Sequence, residues 1–161
     1  MIKQIHFILF LILLTFILLT IKINNSFVVN APFKTIDGDT VKKQNLSFRF
    51  KSVDAPELHG YKNSQLNKIN NISCLHYYAI QATRYVMLFE DKMYLKCNGE
   101  KGIYNRYLCI PYYDHKDLRW DLVKNGLAFC YTKDKLDPST WLCMYYQLYA
   151  KWNKRGMWKC E

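Results

Sequence analysis

The chain has 161 residues, half of them of hydrophobic type, and its 23 lysines and arginines against 13 acids give a formal net charge of +10. Once an N-terminal segment is set aside, that length holds one domain with one core and is too short for two. The basic balance attracts polyanions, chiefly nucleic acid or an anionic membrane surface, or serves solubility alone; charge does not choose among these.

The run from Gln4 to Ile21, between Lys3 and Lys22, carries no formal charge and is apolar from Phe7 except for Thr15 and Thr20. It is long for a signal-peptide core and just long enough, as a helix, to span a bilayer. Val29-Asn30-Ala31 is the nearest small-residue cleavage pattern, but Pro32 follows it. Residues 1–25 are therefore read as an uncleaved N-terminal membrane anchor in preference to a cleaved signal peptide. Either reading places a domain over 26–161 outside the cytoplasm, membrane-anchored or secreted.

The cysteines agree with export. Cys74, Cys97, Cys109, Cys130, Cys143 and Cys160 all lie beyond the leader, and none are spaced as C-x-x-C, so they read as disulfides rather than a zinc or redox motif. Cys97 and Cys109 flank a turn near Ile103 symmetrically, as a bridge across two antiparallel strands would require. Cys143 with Cys160 is the other pairing expected, tying the last helix to the tail. The sequons at Asn24, Asn45 and Asn71 read as chance in a sequence rich in asparagine.

The informative stretch runs Ile36-Asp37-Gly38-Asp39-Thr40-Val41, through Phe48-Arg49-Phe50, to Val53-Asp54-Ala55-Pro56-Glu57-Leu58. Polar and apolar residues alternate as in strands, and the polar segment Lys42 to Asn45 reads as a hairpin connection. A hairpin centred near residues 44 and 45 sets Arg49 or Phe50 opposite Asp39. Parity places Leu46, Phe48 and Phe50 on the core face and Arg49 on the other, beside Asp39. Pro56 ends the strand and stiffens the turn carrying Asp54 and Glu57.

Acids converging on one pocket need a cation. Carboxylate oxygens with no adjacent Cys or His select a hard divalent ion, calcium before magnesium or manganese, and argue against zinc. An arginine beside such an ion suits a substrate bearing phosphate. Glu57, if not a metal ligand, is placed to take a proton from water. The set reads as metal-assisted hydrolysis of a phosphodiester; the plain alternative is two polar turns with solvated acids.

Further along, Leu58 to Ser73 is polar and loop-like, and Ser73 caps an expected helix from Cys74 to about Glu90. A strand follows over Met93 to Cys97, then a connection that ends at Arg106, then a strand over Tyr107 to Tyr113. A short helix is expected over Asp117 to Asn125, closed by Gly126, and a last helix over Pro138 to Arg155. Tyr104 and Tyr131 are candidate substrate-binding residues, by stacking on a base or hydrogen-bonding a phosphate. His59, His76 and His115 form no ligand spacing.

Asp37-Gly38-Asp39-Thr40, Arg49, Val53-Asp54-Ala55-Pro56-Glu57, Tyr104-Asn105-Arg106 and Leu122-Val123-Lys124-Asn125-Gly126-Leu127-Ala128 together resemble the staphylococcal nuclease family. Ala150 and Gly156-Met157-Trp158 resemble the close of its last helix. The resemblance implies an α+β domain, a five-stranded OB-fold β-barrel with three α-helices, preceded here by the N-terminal hydrophobic helix. It implies calcium-dependent cleavage of DNA and RNA. Calcium would be bound by Asp39 and Asp54 with the backbone carbonyl of Ala55, the phosphate clamped by Arg49 and Arg106, and Glu57 would be the general base. A monomer is expected. Two positions depart from the family pattern before the second arginine: Gly102 stands where an aspartate is usual, and Asn105 where a glycine is. The rival readings are an inactive OB-fold module that binds nucleic acid or protein, and a structural protein of the membrane surface.

Overall fold

The computed structural model describes residues 26–58, 71–131 and 138–160; the apolar N-terminal run, His59 and most of the polar stretch after Leu58 lie outside them. Among the described residues no helix is long and apolar enough to cross a membrane.

The strands are β1 (Phe27–Asn30), β2 (Lys34–Thr35), β3 (Thr40–Lys43), β4 (Leu46–Phe50), β5 (Val53–Asp54), β6 (Tyr94–Lys101), β7 (Tyr107–Tyr113), β8 (Lys116–Asp117) and β9 (Phe129–Cys130). The helices are α1 (Ile72–Met87), α2 (Leu118–Lys124) and α3 (Pro138–Trp152). Seven strands form one sheet in the order β1-β6-β7-β4-β3-β2 with β8 on β7, while β5 and β9 pair separately. The architecture is α+β with three helices, as expected, but the expected five strands are divided into more and shorter ones.

Chain connectivity forces this sheet to curl. β1 and β2 lie at opposite ends of the strand order, yet only residues 31–33 join them. Flat, six strands would set those edges about 24 Å apart. The connection reaches at most about 15 Å. The sheet therefore bends into a half-barrel, and its concave side holds the core, where Val41, Phe48, Phe50, Leu95, Leu122 and Val123 are all essentially fully buried.

The β3–β4 hairpin has the predicted register, with Lys43 opposite Leu46 and Thr40 opposite Arg49. Alternation on β4 follows, Phe48 and Phe50 facing inward and Arg49 away from the core. Leu46, expected on the core face, is exposed at the hairpin's end. β4 then pairs in parallel with β7, setting Arg49 beside Leu108.

Helix α1 buries Leu75, Ala79, Ala82 and Val86, the stripe that its sequence spacing requires. It starts two residues earlier than expected: Asn71, not Ser73, caps it, its side chain accepting from the Cys74 N–H at 3.0 Å. It ends at Met87 and α3 at Trp152, both short of the expected Glu90 and Arg155. A second, smaller core of Leu75, Phe129, Ala150, Met157 and Trp158 joins α1, α3 and the tail.

Cys97 and Cys109 are register partners of β6 and β7 and are bonded, as predicted. The expected Cys143–Cys160 pair is not formed. Cys143 faces inward from α3 onto β9 and bonds Cys130, while Cys160 bonds Cys74 at the start of α1. The tail packs against both α1 and α3, and its Cys160 meets the first turn of α1, while Cys143 is turned toward β9.

Gly38 is needed for a close approach. A Cβ there would lie 2.6 Å from the Cβ of Ala82 and 2.7 Å from that of Ala55. The segment carrying Asp39 is thus pressed against α1 and against the segment carrying Asp54.

Two tests follow from this packing. Gly38→Val should lower stability by about 1–3 kcal/mol through overpacking, read as a fall in the urea midpoint at constant m-value; an unchanged midpoint would show that the contact yields freely. In the chain-entropy account, closing the 86-residue separation of Cys74 and Cys160 is worth about 4–5 kcal/mol, against about 3 for each short loop. Cys74→Ser/Cys160→Ser should therefore lower the midpoint more than Cys97→Ser/Cys109→Ser, and the reverse ranking would refute that account here.

Candidate active site

The hairpin and the β5 turn bring Asp39, Arg49 and Asp54 into direct contact. Asp39 follows Gly38 at the entrance to β3 and is 2% exposed, with Asp54 on β5 at 7%. Two buried carboxylates this close repel each other and lose hydration. Arg49 spans them: Nη1 donates to Asp39 Oδ1 at 2.6 Å, and Nη2 donates to Asp54 Oδ1. The Ala55 N–H donates to Asp39 Oδ2 at 2.7 Å, tying the two acidic turns together through the main chain.

Arg106 arrives from the β6–β7 connection. Its Nη1 donates to the Thr40 hydroxyl at 3.4 Å, and that hydroxyl donates to Asp39 Oδ1 at 2.9 Å. A continuous line of polar contacts therefore runs Arg106, Thr40, Asp39, Arg49, Asp54. Thr40 has no role in the sequence reading beyond its place in the motif, and it is the link that sets the second arginine against the first acid. Asp37, the first acid of the stretch, accepts from the Asp39 N–H at 3.0 Å and shapes that turn.

Glu57 stands at the rim, exposed, after the buried Ala55 and Pro56. Partial desolvation raises its pKa above the ordinary glutamate value, Asp37 and Asp54 push the same way, and Arg49 and Arg106 oppose. Its carboxyl thus senses Asp37, Asp54 and both arginines. Burial likewise pushes Asp39 upward, with Asp37 and Asp54 adding to it, while Arg49 and the Ala55 N–H pull against it.

The two departures before Arg106 have a structural account. Asn105 has φ +58° and Tyr104 φ +63°, so the turn does need left-handed backbone, which asparagine tolerates. At Gly102 a Cβ would sit 3.0 Å from Leu108 Cδ2, and the Gly102 N–H donates to the Arg106 carbonyl at 2.8 Å. Main-chain bonding closes the turn with no aspartate side chain. Arg106 Nε also donates to the Ile103 carbonyl at 3.3 Å.

Of the candidate substrate-binding residues, Tyr104 is 85% exposed and lies against the Arg106 guanidinium, 5.4 Å from ring centre to Cζ. Tyr131 is half-exposed beyond β9, and its N–H donates to the Ser52 carbonyl at 3.0 Å, beside the turn that leads into Asp54. The same turn is held from below by Arg119, buried on α2. Its Nη1 donates to the Lys51 carbonyl at 2.8 Å, while Asp117 takes Nη2 at 2.7 Å. Sequence reasoning passed over Arg119, although its signal was available: a charged residue among Leu118, Leu122 and Val123, where only core residues are expected.

Among the described residues no three of His, Cys, Asp and Glu form a metal-binding group. A cation here would rest on Asp39, Asp54 and the Ala55 carbonyl and complete its shell with water. The donor set fits a hard ion, being oxygen throughout. Charge fits too: Asp37, Asp39, Asp54 and Glu57 outweigh Arg49 and Arg106 by two formal units, the charge of one divalent ion.

No curated protein matches the chain. The family model for staphylococcal nuclease homologues matches residues 47–160, more than two thirds of the sequence, a span that holds Arg49, Asp54, Glu57 and Arg106 and begins after Asp39. A domain with this curled sheet, these helices and this match belongs to the staphylococcal nuclease homologue family.

Proposed function

We propose that the chain is a calcium-dependent, sugar-nonspecific nuclease that hydrolyses phosphodiester bonds of DNA and RNA outside the cytoplasm, as a monomer held at the membrane by its N-terminal segment. The observation that carries this reading is the contact line from Arg106 through Thr40, Asp39 and Arg49 to Asp54, with Glu57 in its field. Family membership supports nuclease chemistry. Calcium, substrate, residue roles and location are our own reading.

Asp39, Asp54 and the Ala55 carbonyl would hold the calcium. When bound, the ion supplies Lewis-acid polarisation of a phosphoryl oxygen and offsets the excess acid charge. Arg106 and Arg49 would flank the phosphate, their planar forks matching its oxygens and stabilising charge that grows there. Both terminal nitrogens of Arg49 bond the carboxylates that would take the ion, so binding of the ion would release them toward the phosphate. Glu57, exposed beside them, would accept the proton of the attacking water; its raised pKa makes it a better base than an ordinary surface glutamate. Tyr104, standing against Arg106, offers a face on which a base can stack without regard to sequence.

An inactive nucleic-acid-binding module is the rival. Relaxation of supercoiled plasmid with calcium, and its arrest by chelator, is the expected outcome for the nuclease. Binding without nicking, or nicking indifferent to chelator, would favour the rival or another chemistry.

Variants separate catalysis from support. Glu57→Gln and Arg106→Ala should each reduce turnover by about 10² to 10⁴ and leave the thermal transition nearly in place, since both side chains sit at the rim. Arg49→Ala should fail on both counts, because it strands two buried carboxylates at a cost of about 3–5 kcal/mol. Turnover on single-stranded DNA, measured alongside thermal melts, decides each case; a fully active Glu57→Gln removes that residue from the mechanism.

A further inference from the structure

The last helix has two apolar faces where one would serve. Its inner face buries Cys143 and Ala150 completely. On the opposite side Trp141, Tyr145, Leu148 and Trp152 stand in one line at helical spacing, exposed by 70%, 63%, 61% and 90%. Met144, also exposed, borders that line. No other described element leaves so many large side chains in water along one line, and a contiguous apolar surface of this kind marks an interaction site.

Charge identifies the occupant. Residues 138–160 contain no acid, while Lys151, Lys154, Arg155 and Lys159 cluster at the helix's end and exit. A second copy of the chain would bring the same stripe and the same cations, with no acid in that segment to pair with them. An anionic lipid surface supplies both complements: headgroups for the cations and an acyl boundary for the stripe. Tryptophan and tyrosine are the side chains most at home at that boundary, and aliphatic Leu148 and Met144 favour lipid over stacked bases.

Chain length agrees. Between Lys22, at the end of the apolar N-terminal run, and Phe27, where β1 starts, the chain can span only about 17 Å. If that run is in a bilayer, the domain is held against the headgroups.

We propose that the outer face of α3 is a docking surface for anionic lipid, seating the domain on the bilayer through Trp141, Tyr145, Leu148 and Trp152 with its cations on the headgroups. The proposal goes beyond the nuclease reading and does not depend on catalysis; it draws on the N-terminal tether for proximity.

The tryptophans make it testable in the full chain. The leader contains none, and Trp158 is buried and Trp120 half-buried, so fluorescence that changes with lipid contact comes from Trp141 and Trp152. The chain is assembled into nanodiscs of phosphatidylcholine and phosphatidylserine, in which both membrane faces meet solvent. Brominated lipid should quench the emission and aqueous iodide should quench little. Trp141→Ser/Trp152→Ser should lose the lipid quenching with an unchanged thermal transition. Lys154→Glu/Arg155→Glu should weaken it in the anionic discs. Strong iodide quenching would place the stripe in water and overturn the proposal; if oligothymidylate with chelator then removes it, the stripe is a nucleic-acid surface. Quenching by neither agent would mean that protein covers the stripe, a second copy or the leader, and would equally overturn it. Failure of the chain to enter the discs at all would remove the tether as well as the contact.

Discussion

Everything at the site depends on one guanidinium between two buried carboxylates. Asp39 and Asp54 come from different turns, and without Arg49 their charges would be uncompensated in a place water barely reaches. A bidentate arginine satisfies both at once, and its rigid fork fixes their separation. The geometry then propagates outward. Asp39, held by Arg49, orients Thr40, and Thr40 receives Arg106. Remove the central cation and the arrangement loses its reason to converge.

The supporting structure serves the same convergence through the main chain. Gly38 allows the Asp39 turn to press on Ala55 and on α1. The turn before Asp54 is held on three sides: Arg119 donates to the Lys51 carbonyl, the Lys51 N–H donates to the Cys109 carbonyl at 2.8 Å, and the Tyr131 N–H donates to the Ser52 carbonyl. Ser52 itself adopts φ +67°, a conformation that persists because its neighbours impose it. Acids at the site are thus positioned by backbone whose own hydrogen bonds are made elsewhere, the arrangement expected when side-chain placement must survive charge repulsion.

Much of this was legible in the sequence, for definite reasons. Strand alternation with a polar tetrapeptide between Val41 and Leu46 fixes the hairpin register, and register fixes the side on which Arg49 emerges. The Cys97–Cys109 bond follows from the same reasoning, since the two residues flank one turn. The remainder depended on contacts that no local pattern encodes. Cys160 finds Cys74 because the tail crosses α1, a long-range packing decision. The use of Gly38 for close approach, and of Arg119 as a buried strut, requires knowing which element lies behind them. Asparagine and serine can both cap a helix, and here it is the Asn71 side chain that accepts from the Cys74 N–H.

Charge is distributed in two opposing ways. The chain as a whole is strongly basic, so a polyanion is drawn toward it from a distance. At the site the sign reverses, because Asp37, Asp39, Asp54 and Glu57 outnumber Arg49 and Arg106. A phosphodiester drawn in by the outer field would meet local repulsion at these four acids. A divalent ion on Asp39 and Asp54 would cancel the excess, leaving the two arginines as net attraction for the phosphate. On the proposed reading the acids would do more than offer ligands: they would make productive approach of a phosphodiester conditional on the ion, and the contacts that hold Asp39 and Asp54 together would create that condition.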